Sequence, residues 1–156
     1  MAAVNVENDA IISIHPRYAH AILDGVKTIE LRRRIPSISI GTRLWIYATR
    51  PVGAVIGIAT VERIVRGEPE QIWVEFGHQA AIERPDYDAY FEGAQEAIGI
   101  VLAQVQRNAE QVEIERLRTL RDGFHPPQVI MWISECEAQS LQRMSNEDGF
   151  RVSGMK

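Results

Sequence analysis

Residues 24–34 read D-G-V-K-T-I-E-L-R-R-R, and in this stretch alone turn chemistry, charge and strand alternation coincide. Residues 16–24 ahead of it have the marks of a short helix: Pro16 suits the first helical position, and Tyr18/Ile22 and Ala19/Leu23 repeat at i, i+4. Gly25 ends that helix. A glycine just past the last turn takes the left-handed conformation that other residues resist, so the chain can reverse and run on extended. From Thr28 the pattern alternates, sending Ile29 and Leu31 to one face and Glu30 and Arg32 to the other, with Lys27 at the strand's mouth beside the helix end. A cation, a carboxylate and a guanidinium must therefore gather at one strand.

The spacing G-x-K-x-x-E-x-R, here Gly25, Lys27, Glu30 and Arg32, resembles the signature of ASCH domains, which belong to the PUA-like superfamily. Four fixed residue types in a window of eight arise by chance on the order of once in 10⁵ windows at average usage. The flanks are similar to ASCH as well: I-S-I-H-P-R-Y-A-H-A-I-L-D-G before, G-T-R-L-W-I-Y-A-T-R-P-V-G-A-V-I-G after, and F-H-P-P-Q near the C-terminus, so the likeness runs from about residue 11 to residue 132. It implies a small PUA-like β-barrel with a cleft beside the signature strand.

The residues themselves point to the same class. Apolar or alternating segments at 10–14, from Thr28 on, and at 43–49, 54–65, 95–106 and 129–133 read as five to six strands, and helical patterns open at Pro16, at Glu68-Pro69, at Pro85 and at Ile114. Strands with helices inserted and flanking them make an α+β fold, here a small β-barrel. Gly57 within residues 54–65 marks a bend or bulge of the kind that barrel corners need. We expect a tail at 1–9, one domain at 10–133, and a terminal helix or tail at 134–156. The expected core holds Ile14, Ile22, Leu31, Leu44, Ile46, Ile56, Ile58, Ile100, Leu102 and Ile130. In residues 43–49, Leu44, Ile46 and Ala48 face that core, which leaves Trp45, Tyr47 and Thr49 on a side available to line a cleft.

A chain of 156 residues suffices for one domain with a proper core. With Cys136 as the only cysteine no intramolecular disulfide forms, which suits a reducing compartment. No secretory pattern opens the sequence and no apolar run is long enough to span a bilayer, so the expected location is cytoplasmic and no membrane partner is expected. The net charge of −4 argues against long non-specific duplex binding, but it is unevenly spread: residues 1–50 hold 7 Lys/Arg against 4 Asp/Glu, a balance of +3, and residues 51–156 balance at −7. The basic excess sits on the signature.

Lys27 at a strand mouth suits a phosphate contact, an oxyanion stabiliser or, once desolvated, a general base, and equally a salt bridge to Glu30. Glu30 and Arg32 are open to the same double reading, and Arg33 is an outer phosphate contact or a solvated strand end. His15 precedes the backbone N–H groups of Arg17 and Tyr18, an arrangement that attracts anions or simply caps the helix. Tyr47 and Arg50 are able to stack on a base while Thr49 holds its edge, and the resemblance puts this strand end beside the cleft. His15, His20, His78 and His125 show no metal-ligand spacing, and no phosphate loop or dinucleotide fingerprint is present, so neither a metal nor a cofactor is expected.

These residues support first a nucleic-acid-binding module for single-stranded RNA or a nucleotide, using His15, Lys27, Glu30, Arg32, Arg33, Tyr47, Thr49 and Arg50. The alternative is an RNA-processing enzyme, a ribonuclease or a modified-nucleoside amidohydrolase, with Lys27 and Glu30 catalytic. A third reading is a transcription-linked adaptor that meets protein partners through its acidic part. Two departures from the resemblance bear on catalysis. Relatives similar to N4-acetylcytidine amidohydrolases have a threonine where Glu30 stands and an acid on a later helix, where residues 77–81 offer none; and after F-H-P-P-Q relatives continue with a serine, where this chain has Val129.

Overall fold

Alternation is strong enough in six segments to build one sheet. The computed structural model describes residues 8–146, in the order β1 (Asp9–Ile14), α1 (Pro16–Leu23), β2 (Ile29–Arg32), β3 (Arg43–Ala48), β4 (Ala54–Gly67), α2 (Pro69–Phe76), α3 (Arg84–Tyr90), β5 (Ala97–Glu113), α4 (Ile114–Leu120), β6 (Ile130–Ile133) and α5 (Glu135–Ser145). A single 3₁₀ turn, Gly77–Gln79, follows α2. The strand order is β2-β5-β4-β3-β1-β6, with β1 and β3 parallel and the other pairs antiparallel. The fold is thus α+β with an open mixed sheet. The expected barrel is not closed by hydrogen bonds, because the edge strands β2 and β6 do not pair with each other.

The sheet bends where its register slips. Along β4 and β5 the pairing shifts between Val55 and Gly57, again between Ile58 and Thr60, and again between Val61 and Arg63. Gly57 is obligatory at the first of these: a Cβ there would lie 2.5 Å from Leu23 of α1 and 2.8 Å from the Gln106 carbonyl, so α1 packs straight onto β4 backbone. The pairing with β4 continues past these slips to Ala54 opposite Glu113, so β5 runs well beyond the expected end at residue 106.

Three apolar clusters fill the molecule. The first joins Ile12, Ile14, Ile22, Leu44, Ile46, Ile56, Ile100 and Leu102 between the sheet and α1. Ile58 and Ile130, also expected in the core, are only half-buried. The second lies across β3, where α4 and α5 pack Leu117, Ala138 and Leu141 over Ile11, Trp45 and Tyr47. This corrects the sequence reading of β3, since both its faces are core. The buried Trp45 donates its Nε1–H to Asp9 Oδ2 at 2.8 Å, which ties the start of β1 to β3. The third cluster packs Ile72 and Phe76 of α2 and Tyr87 and Phe91 of α3 and its end onto Ile29, Leu31 and Val101. It fastens the α2–α3 insertion against the signature strand. No helix among the described residues is long and apolar enough to cross a membrane.

Candidate functional site

Gly25, at φ +82°, turns the chain out of α1, and the N–H groups of Val26 and Lys27 both donate to the Ala21 carbonyl at 2.9 and 3.0 Å. This wrap drives the Lys27 side chain inward, where only 3% of the residue is exposed. Its Nζ donates to the Ala80 carbonyl at 2.6 Å, lies 3.9 Å from Glu30 Oε1, and sits 4.8 Å from the centre of the Tyr18 ring. Burial pushes its pKa below the ordinary lysine value; the Glu30 carboxylate opposes that shift and Arg32 adds to it.

Glu30 is shared between two cations. Its Oε2 accepts from Arg32 Nε at 2.9 Å and lies 2.7 Å from Arg32 Nη2, and the same Nη2 donates to the Ser13 carbonyl at 2.8 Å. That carbonyl is free because the β1–β6 pairing stops at Ile12 and Ile130. A side chain therefore bridges β2 to β1 where no ladder does.

Beside this group lies a cleft of about 540 Å³. His15, Tyr18, Lys27, Glu30 and Arg32 line its inner wall, and Ile82, Asp86, Ala89 and Tyr90 its outer wall. Asp86, Ala89 and Tyr90 stand at i, i+3 and i+4 and so present one face of α3. Among the cleft's charged side chains Asp86 alone has no hydrogen bond or ion pair within the described residues.

The predicted site residues divide. Lys27, Glu30, Arg32 and His15 share the cleft. His15 spends its cap on the helix: Nδ1 accepts from the Arg17 N–H at 3.2 Å, and the Tyr18 N–H is bound by the His15 carbonyl at 3.0 Å, so neither N–H waits for an anion. Arg33 turns to α3, where Nη1 donates to the Tyr90 and Glu92 carbonyls at 2.9 and 3.0 Å.

Tyr47, Thr49 and Arg50 are not cleft residues. Tyr47 lies in the second core with its ring 6.5 Å from that of Phe124, and burial raises its pKa against the pull of Arg50 and Arg118. Thr49 donates its N–H to the Ile14 carbonyl of β1 at 3.0 Å and accepts the Val52 N–H at 3.1 Å in the β3–β4 turn, where Arg50 is exposed. The physical reason is the cover of α4 and α5, which makes this side of β3 interior.

Sequence reasoning missed Tyr18, Asp86 and Tyr90. For Tyr18 the signal was present, since the i+4 stripe of α1 also aims at the lysine. Asp86 and Tyr90 had none, because nothing local says that a helix more than fifty residues on folds back to wall the signature strand. Residues 77–81 indeed supply no acid; α3 supplies one. Among the described residues no group of three or more His, Cys, Asp or Glu is placed to hold a metal ion.

Comparison with known proteins agrees with this architecture. The ASCH domain profile matches residues 12–115. A Zymomonas mobilis protein described as an ASCH domain-containing ribonuclease is 37% identical over 147 residues, covering 94% of this chain and 99% of that protein. The crystal structure of ASCH from Zymomonas mobilis superimposes with a TM-score of 0.83 at 41% identity, over 85% of this chain and 92% of that one. A human THYN1 protein in complex with 5-methylcytosine-containing DNA shares the fold alone, with a TM-score of 0.55 at 6% identity over 88% of this chain and 97% of that one. The chain belongs to the ASCH domain family, to which its Gly25–Lys27–Glu30–Arg32 spacing pointed.

Proposed function

We propose that this protein binds single-stranded RNA or a nucleotide, with one base in the cleft beside Lys27, Glu30 and Arg32 and the backbone along its rim. The observation that carries this reading is the cleft itself: about 540 Å³, with Tyr18 on one wall and a partly exposed Tyr90 on the other. That volume accommodates one nucleoside and no duplex, and aromatic walls suit a splayed base. Arg17, exposed with its guanidinium 5.4 Å from the Tyr18 ring centre, and Arg33, whose Nη1 alone is bonded to α3, stand where phosphates would pass. The ribonuclease description of the Zymomonas relative supports an RNA ligand. Fluorescence anisotropy with a short single-stranded RNA and the matching duplex tests it. The single strand should bind more tightly, with a salt dependence that flattens by roughly 0.7 per phosphate contact removed when Arg17 or Arg33 becomes alanine. A duplex that binds as well as the single strand would overturn it.

The same relative favours a second reading, in which this chain cleaves RNA and Lys27, desolvated beside Glu30, moves a proton. Val129, where relatives carry a serine, weighs against it. Lys27→Arg separates the two. A guanidinium keeps the charge but does not release a proton near neutral pH, so turnover present in the wild type and absent in the variant, at similar RNA affinity, establishes the enzyme. Binding without product in either form leaves the module.

A further inference from the structure

The charges lining the cleft sum to zero, Lys27 and Arg32 against Glu30 and Asp86, and three of these four are already engaged with one another or with backbone. A phosphate entering here would meet two carboxylates and no uncommitted cation. The outer wall adds to that repulsion, because residues 68–96, which carry it, hold 8 Asp/Glu against Arg84 alone. Among the described residues, the one charged group of the cleft without a partner is Asp86, an acceptor that faces the cleft from the first turn of α3.

We propose, building on the RNA- or nucleotide-binding reading above, that the cleft selects a nucleobase bearing an exocyclic amino group, and that Asp86 is the residue that reads it. An ionised carboxylate only accepts hydrogen bonds, so it favours cytosine over uracil and adenine over hypoxanthine; each pair differs in shape by little and at the same edge exchanges an amino donor for a carbonyl acceptor. The phosphate stays at the rim, with Arg17 and Arg33.

Calorimetry on the full chain tests this with cytidine against uridine, adenosine against inosine, ribose 5-phosphate, and a short single-stranded RNA containing all four bases. The amino member of at least one pair should bind roughly tenfold or more tightly, as expected for a charge-assisted hydrogen bond, and ribose 5-phosphate should not bind. Asp86→Asn should bring that ratio below about threefold while leaving the melting temperature nearly unchanged, because Asp86 is exposed and has no hydrogen bond or ion pair among the described residues to lose. Asp86→Ser is the second variant, should the first fold poorly. Ratios below threefold in both wild-type pairs, a preference that survives both variants, or binding of ribose 5-phosphate would each overturn the proposal. RNA binding without any nucleoside binding would sink it while sparing the RNA-binding reading. If neither RNA nor nucleosides bind, both fall.

Discussion

The two walls of the cleft handle charge in opposite ways. On the inner wall Lys27, Glu30 and Arg32 are nearly enclosed and bind one another, so their charges serve the position of β2 against β1 and the insertion. On the outer wall Asp86 and Tyr90 face outward from a small aromatic core; the Tyr90 phenol and carbonyl both meet Arg33, while the Asp86 carboxylate has no hydrogen bond or ion pair among the described residues. The whole acidic balance of the chain lies on that side: residues 68–96 balance at −7 and the rest of the sequence at +3. The contrast teaches where to look for recognition. A buried charge that is already matched holds a strand in place, whereas an unmatched one on a packed helix is available to a ligand.

The outer wall rests on packing, so its largest test is a cavity. Phe91 is buried, with its ring centre 4.7 Å from that of Tyr87 and 4.8 Å from that of Tyr90. Phe91→Ala should cost about 3–5 kcal/mol by urea denaturation. Amides of α2 and α3 should exchange faster than those of β3 and β4. A loss under about 1 kcal/mol would mean that the insertion is held by something other than its aromatic core.

The inner wall should respond to charge instead. Glu30→Gln leaves Lys27 and Arg32 enclosed without their carboxylate, at a cost of about 3 kcal/mol. Asp86→Asn, the same chemical change across the cleft, should stay within about 0.5 kcal/mol. Equal losses in the two variants would abolish the distinction between the walls.

Much of this was legible in the sequence because its causes are local. Pro16, the i+4 stripe and Gly25 fix α1 and its end, and alternation from Thr28 fixes which side chains of β2 meet Lys27. What stayed hidden depends on distant segments. Period 2 separates Tyr47 from Ile46, but only the arrival of α4 and α5 decides that both sides of β3 are interior. Arg33 reads as a solvated charge until the Tyr90 and Glu92 carbonyls come within its reach. Sheet closure was misjudged for a similar reason: strand number says nothing of whether β2 and β6 pair, and here Arg32 reaches the Ser13 carbonyl in place of a ladder. Asp86 is the clearest case, a carboxylate placed on the cleft wall only by the way α3 packs against the signature strand.

Tyr87 offers a pH test of the outer wall. Burial lifts its phenol from the ordinary value to about 12, and its hydroxyl donates to the Pro69 carbonyl at 2.7 Å. The folded state therefore holds this proton more tightly than the unfolded chain does. Its ionisation leaves stability untouched below pH 10 and lowers it as pH rises from about 10 to about 12, by a few kcal/mol. Tyr87→Phe should lose about 1 kcal/mol near neutrality with the hydrogen bond, and should then lack the extra alkaline loss. Parallel curves for wild type and variant from pH 9 to 12 would show that the phenol is not held by the wall.

The smallest effect belongs to Arg33, which connects the walls. Its Nη1 donates to two carbonyls at the end of α3, where a cation also meets the negative end of the helix, and this should contribute about 0.5–1 kcal/mol. If that is its only task, Arg33→Ala should speed amide exchange in α3 and raise the RNA dissociation rate, with the salt dependence of binding unchanged. If its second terminal nitrogen also takes a phosphate at the rim, the salt dependence should flatten by roughly 0.7 as well. Arg33→Lys discriminates further: an ammonium reaches phosphate but cannot copy the guanidinium's fixed fork, so it should restore the salt dependence more fully than the exchange protection. We expect both signatures, because β2 presents Arg33 to α3 from a point beside Tyr90. A variant that alters neither would remove Arg33 from the links between the outer wall and the signature strand, leaving the aromatic core and the hydrogen bonds of Lys27 and Thr28 to Ala80 and Gln79.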